Sequence, residues 1–179
     1  MSNYIAMLRG INVSGHRIIK MEQLRASFAA LGFRNVKTYV QSGNVVFEAT
    51  NDSAARLSKK IEKKILCDFG FSVAVFLKTS KDIEEIIKCN PLLETPAIDH
   101  AKLHVTFLSN DPPETALEQL RPLAATPEQF RIMGREIYLS CPNGYGNTKL
   151  SNAAIEKKLS VVATTRNWKT VNTLLAMAK

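Results

Sequence analysis

Val36-Lys37-Thr38-Tyr39-Val40-Gln41-Ser42-Gly43-Asn44-Val45-Val46-Phe47 is the stretch on which the fold turns. Val36, Thr38 and Val40 alternate with Lys37, Tyr39 and Gln41, the two-residue period of a half-buried strand. Ser42-Gly43-Asn44 carries turn formers and Val45-Val46-Phe47 opens a returning strand, so the stretch predicts a hairpin. Upstream, Met21, Leu24, Phe28 and Leu31 recur at helical spacing, and Gly32 stands where a helix closes in a left-handed residue. Before that helix, Tyr4-Ile5-Ala6-Met7-Leu8 is a short apolar run of the kind a buried central strand needs, broken by Arg9-Gly10-Ile11-Asn12. Downstream, Asn51-Asp52-Ser53 offers caps to a helix with Leu57, Ile61, Ile65 and Phe69 on one face and Lys59, Lys60, Lys63 and Lys64 on the other. Val73, Val75 and Leu77 then alternate as another strand. The order is βαββαβ, that of a ferredoxin-like unit. A connecting helix follows through Ile83, Ile86 and Ile87.

The second half repeats part of this order without repeating its residues. Residues 91–100 contain Pro91 and Pro96 and no periodicity, which predicts a linker between a first unit over 1–90 and a second over 101–179. Leu103, Val105 and Phe107 alternate as a strand, and Asp111 with Pro112 and Glu114 predicts a capped helix start. Phe130 and Ile132, the turn Gly134-Arg135, and Ile137 and Leu139 form a second hairpin. Ser151 or Asn152 caps a helix carrying Ile155 and Leu159. Val161-Val162-Ala163 is expected as a short last strand, and Thr165 as the cap of a final helix with Trp168, Val171, Leu175 and Ala178 on one face. The fold class is therefore α+β: tandem ferredoxin-like (α–β plait) units with a C-terminal helical extension, the fourth strand of the second being the least marked.

Composition narrows the function classes. The chain has 179 residues, 45% hydrophobic and 22% charged, which is ordinary globular usage. No apolar run reaches the ~18 residues of a membrane span. The start, Met1-Ser2-Asn3-Tyr4, lacks the basic and apolar regions of a signal peptide, so the expected setting is cytoplasmic. Cys67, Cys89 and Cys141 are far apart, and neither they nor His16, His100 and His104 have metal-ligand spacing. No nucleophile elbow, zinc-protease helix, dinucleotide fingerprint or P-loop occurs, so no cofactor is called for. His104 lies in mid-strand and reads as solvent-facing. The formal charge is +8: residues 1–90 hold 14 Lys/Arg against 8 Asp/Glu, and the remainder 10 against 8. That excess suits an anionic partner or simply a soluble, lysine-rich surface. The RNA-recognition module built on such sheets needs aromatic side chains on its central strands, and here only Phe47 is offered.

Topology locates a candidate site. A βαβ crossover makes the first two strands parallel, and the third runs between them in the opposite sense. The end of the first strand therefore meets the hairpin, which brings Arg9 and Asn12 beside Gln41, Ser42 and Asn44. A guanidinium, amides and a hydroxyl can hold an anion or a planar polar group. The same Asn, Ser and Gly residues are also plain turn formers. Lys149, in the loop Gly144-Tyr145-Gly146-Asn147-Thr148-Lys149 ahead of a helix, and Arg166 are further binding candidates. Partners consistent with this are an anionic small molecule or nucleic acid, with no membrane. An enzyme with an unrecognised active site and a protein–protein adaptor stay open.

Arg9-Gly10-Ile11-Asn12-Val13, Thr38-Tyr39, Gln41-Ser42-Gly43-Asn44-Val45, Lys149-Leu150-Ser151-Asn152 and Thr164-Thr165-Arg166-Asn167-Trp168 together resemble the bacterial family catalogued as domain of unknown function 1697. The resemblance runs over nearly the whole chain. It implies a tandem pair of α–β plait domains and carries no catalytic role. Many members have two glycines after the Asn-Val pair, where this chain has Ser14-Gly15.

Overall fold

Ile5, Ala6, Met7 and Leu8 have no exposed surface, as an apolar run covered on both faces requires. They end β1 (Ser2–Leu8) in a computed structural model that describes all residues, 1–179. The chain groups into two units: Met1–Glu85 with Thr173–Lys179, and Ile86–Asn172.

The first unit continues through α1 (Met21–Ala30), β2 (Arg34–Tyr39), β3 (Asn44–Ala49), α2 (Ala54–Phe69) and β4 (Val75–Thr79). Its four strands form one antiparallel sheet in the order β2-β3-β1-β4, with the expected hairpin at one edge. Tyr4, Ala6 and Leu8 share a face of β1 and pack in one core with Leu24 and Phe28 of α1 and Leu57, Ile61 and Ile65 of α2. Phe47 sits at its centre, 4.5 Å from Phe33 and 5.3 Å from Phe28 between ring centroids. Each such side chain stabilises the fold by about 1.5–3 kcal/mol on burial. The local signals at the ends of α2 hold. Ser53 Oγ accepts from Arg56 N–H, and Gly70 closes the helix with φ 78°.

In the second unit, β5 (Leu103–Leu108), α4 (Ala116–Leu120), β6 (Gln129–Met133), β7 (Glu136–Ser140), α5 (Asn152–Leu159) and β8 (Ala163–Asn167) repeat the element order. The sheet is again four-stranded and antiparallel, β6-β7-β5-β8. Leu108, Leu120, Leu139, Ile155 and Leu159 belong to its core. Two helices run across the division of the chain: α3 (Ser80–Lys88) and α6 (Trp168–Met177). The division thus falls within α3 rather than in 91–100. That segment carries short 3₁₀ turns at Pro91–Glu94 and His100–Lys102, and Leu92 in it is fully buried. The last residues join the first unit, where Asn3 Nδ2 donates to Ala178 O at 2.7 Å and Lys179 meets Glu84 at 3.2 Å. No helix is long and apolar enough to cross a membrane.

Three expectations are corrected in the second unit. Asp111 caps nothing; it accepts from the Arg135 guanidinium at 2.9 and 3.1 Å, and α4 starts only at Ala116. Pro113 explains this, because a residue before proline is pushed out of the helical region and Pro112 cannot open a helix there. The last strand is not Val161–Ala163 but β8, with Thr165 at its middle. Thr165 pairs with Thr106 across the sheet, as β-branched residues favour, and the cap of α6 comes from Asn167, whose Oδ1 accepts from Thr170 N–H at 2.8 Å.

Candidate functional site

Three chain segments meet where β1 ends. Leu8 N–H donates to Gly43 O at 2.8 Å, and Arg9 N–H donates to Ala74 O at 3.0 Å. Loop 9–20, the 40–43 turn and the 70–74 segment therefore share one end of the first sheet. Gly43 makes the approach possible. A Cβ there would lie 2.6 Å from Ile11 Cδ1 and 2.9 Å from Leu8 Cβ, and its φ is +77°. No side chain fits that space or that backbone region.

Asn12 is the latch of this end. Its Nδ2 donates to Gln41 O at 2.7 Å and to Ile19 O at 3.0 Å, and its Oδ1 accepts from Ile19 N–H at 2.8 Å. One amide thus closes loop 9–20 on itself and ties it to the hairpin. Asn12 has φ 54°, a left-handed conformation that asparagine tolerates well. Inside the loop, Val13 and His16 form an antiparallel bridge around Ser14 and Gly15, with φ 49° and 76°. Two consecutive left-handed residues make a primed turn, which favours glycine at both positions. That is a physical reason for the paired glycines the resemblance leads one to expect, and Ser14 departs from it at a cost of about 1–2 kcal/mol. Asn44 is fully buried, and its Nδ2 donates to Tyr39 O at 3.1 Å and Ser42 Oγ at 2.9 Å. Asn12, Gln41, Ser42 and Asn44 are therefore brought together, but the two amides and the Ser42 hydroxyl bond to the protein itself.

What this end presents outward is charge. Arg17, Lys20, His16 and the Gln41 side chain are exposed and Arg9 is half-buried, whereas Lys37 lies back along β2, opposite Val46, in a cleft that Glu48 also lines. Within the loop from Arg9 to Lys20 there is no Asp or Glu; the carboxylate that approaches this end is Glu62 of α2, whose Oε1 accepts from Val75 N–H at 3.0 Å. No side chain caps α1, so the N–H groups of its first turn are unclaimed at this end. Apolar groups stand among the cations: Val13 is 56% exposed, Ile18 67% and Val40 51%. Val40 also has φ 51°, an outlier for a β-branched residue. The sequence reading singled out Arg9 and missed Arg17, Lys20 and these three side chains. The signal was legible as twelve residues, 9–20, with three cations and no acid.

The other two candidates belong to the second unit. Lys149 is exposed just before α5, whose cap is Ser151 Oγ accepting from Ala154 N–H. Arg166 is buried on β8, and its Nη1 donates to Thr164 Oγ1 at 2.8 Å and Thr165 O at 2.9 Å. Burial pulls its pKa down to about 10, which still leaves it charged at neutral pH. Between them lies a network that sequence spacing did not reveal. Thr165 Oγ1 meets Thr106 Oγ1 at 2.7 Å, accepts from Tyr145 OH at 3.1 Å and donates to Asn152 Oδ1 at 2.7 Å. His104 is half-buried rather than solvent-facing. Its ring stacks on Tyr145 at 4.9 Å, and its Nδ1 donates to Lys102 O at 3.2 Å. Burial lowers the His104 pKa and raises that of Tyr145, so both are neutral at pH 7. The hydroxyls of this group bond to one another and fasten the 141–151 loop to the sheet.

The family model described as "Protein of unknown function (DUF1697)" matches residues 1–138, which include the whole Asn12 latch and its hairpin. The chain belongs to this family. Among solved structures, it is similar to the conserved bacterial protein SP0830 from Streptococcus pneumoniae, with a TM-score of 0.78 and 23% sequence identity over 99% of each chain. That likeness is one of fold. No curated protein matches the chain.

Proposed function

We propose that this DUF1697 member is a tandem of ferredoxin-like (α–β plait) units with a C-terminal helix, and that the end of its first sheet binds an anionic ligand. The fold reading is supported by the β-α-β-β-α-β order in each half and by two sheets with the same strand order. The functional reading rests on one observation. Asn12 joins loop 9–20 to the hairpin turn, and that loop carries Arg9, Arg17 and Lys20 and no Asp or Glu of its own. A loop already ordered loses little freedom on binding. The Arg17 guanidinium offers paired donors to a phosphate or carboxylate, and the uncapped start of α1 adds backbone N–H groups and a favourable dipole. The setting we infer is cytoplasmic, since three cysteines that form no disulfide suit a reducing compartment.

A thermal-shift panel of inorganic phosphate, pyrophosphate, nucleotides and short oligonucleotides tests the reading. A ligand bound only by the native state raises the melting temperature. At least one anion should do so with the natural chain and not with Arg17→Glu/Lys20→Glu, whose unliganded melting temperature should be unchanged. A panel with no shift, or a shift that survives in the double variant, defeats it.

A further inference from the structure

The cationic end does not stop at the loops. Helix α2 carries Arg56, Lys59, Lys60, Lys63 and Lys64. Three of these are engaged: Arg56 with Asp52 at 3.4 Å, Lys64 with Asp68 at 2.8 Å, and Lys60 with Leu31 O at 3.1 Å while lying over the Phe33 ring. Lys59 and Lys63 remain, exposed and one helical turn apart, ~6 Å between their Cβ atoms. With Leu66, Ser72, Val73 and Ala74 they line an open cleft of about 440 Å³. Glu62 also borders it, but its Oε1 is turned to the backbone and accepts from Val75 N–H at 3.0 Å. Leu66, 47% exposed, supplies an apolar wall. The wall of this cleft is also the anchor of the loop end, because Ala74 O is the acceptor for Arg9 N–H. Segment 72–74 thus borders the cleft of Lys59 and Lys63 on one side and is bonded through its backbone to the Arg9–Lys20 loop on the other.

Building on the anion-binding reading above, we infer that the ligand is a single-stranded nucleic acid, its backbone running from the Arg17–Lys20 end into the α2 cleft. Two separated groups of cations joined by one segment call for a ligand with several phosphates, which a lone phosphate or a nucleotide cannot supply to both. Exposed apolar side chains beside the cations (Val13, Ile18 and Val40 at the loops, Leu66 in the cleft) call for apolar faces interleaved with charge. Unpaired bases offer these faces, and a duplex hides them. The sheet-face mode of RNA recognition is not available, because Phe47 is fully buried.

Fluorescence anisotropy on the full chain tests this with labelled oligothymidylates of about four and about twelve nucleotides. Tripolyphosphate, a duplex and polyglutamate serve as competitors. The longer strand should bind at least ~10-fold tighter than the shorter. Its affinity should fall with salt at a log–log slope near −0.7 per phosphate contacted, giving a value beyond about −2. Lys59→Glu/Lys63→Glu should remove the advantage of length and spare the short strand, whereas Arg17→Glu/Lys20→Glu should weaken both. Equal affinity for the two lengths, or no effect of the cleft variant, overturns the nucleic-acid inference while leaving anion binding at the loops intact. Competition by the duplex or polyglutamate as effective as by the single strand also overturns it, in favour of another macromolecule. No binding of any anion removes both readings.

Discussion

The two halves share an element order and use their polar residues in opposite ways. At the loop end of the first unit, Asn12 and Asn44 bond to backbone carbonyls and a hydroxyl, and so hold two loops in place while Arg17 and Lys20 are exposed. In the second unit, the side chains of Thr106, Thr165, Tyr145 and Asn152 bond chiefly to one another, and the cation beside them, Arg166, is buried and turned inward on Thr164 Oγ1 and Thr165 O. The first arrangement makes an ordered platform with exposed cations. The second closes upon itself and fixes a loop. A polar cluster signals binding when its fixed groups leave others reaching outward, and signals structure when its members satisfy each other.

The largest effect that can break this contrast is expected at Gly43. Gly43→Ala forces a Cβ into Ile11 and Leu8 at a left-handed position, and should lower stability by about 3 kcal/mol in denaturant unfolding. Gly134→Ala in the turn of the second hairpin meets nothing nearer than 3.8 Å and should lose less than half as much, through its φ of +57° alone. Equal losses would mean that the close packing under the loop end is not what holds it. Next comes Asn12→Ala, which removes three hydrogen bonds and should cost roughly 2 kcal/mol together with the anion-induced thermal shift. Retained ligand binding in that variant would separate the latch from the site.

Thr165→Val keeps the shape of β8 but leaves Tyr145 OH and Asn152 Oδ1 without their partner, for an expected loss of about 1–2 kcal/mol. Anion binding should be unaffected, and a lost thermal shift would contradict the division of roles between the halves. The smallest effect concerns pH. His104 has a lowered pKa in the folded chain, so the unfolded chain binds the proton more readily. Its contribution is present above the unfolded value of about 6.5 and is lost as pH falls from there through the folded pKa. His104→Gln should flatten the stability profile in that interval, and a profile identical to that of the natural chain would show that the stacked ring carries none of the slope.

Much of the fold was readable in the chain because the signals are local. The alternation around Val36–Phe47, the capped amphipathic run after Ser53 and the apolar strand Tyr4–Leu8 each declare their element within a few residues, and the crossover rule then brings Asn12 to the hairpin. Failures came where the deciding contact was distant or where local rules competed. Asp111 looked like a cap but finds Arg135 across 24 residues. Thr165 looked like a cap but sits on β8, opposite Thr106, 59 residues away in the chain. His104 looked exposed because alternation places it opposite Leu103 and Val105, yet the helix-side face of that strand is covered by Tyr145.

The sequence by itself determined the order of elements, the hairpin, the cationic bias of the first half and the meeting of residues 9–12 with 41–44. These follow from periodicity, capping and the handedness of crossovers, which act along the chain. Only the tertiary structure decided that Asn12 and Asn44 bond inward, that among the cations of α2 Arg56, Lys60 and Lys64 are engaged while Lys59 and Lys63 line the cleft, and that Ala74 links that cleft to Arg9. A side chain's type sets which bonds it can make. Which of them it makes depends on groups that folding brings within about 3 Å, and no spacing along the chain records that distance.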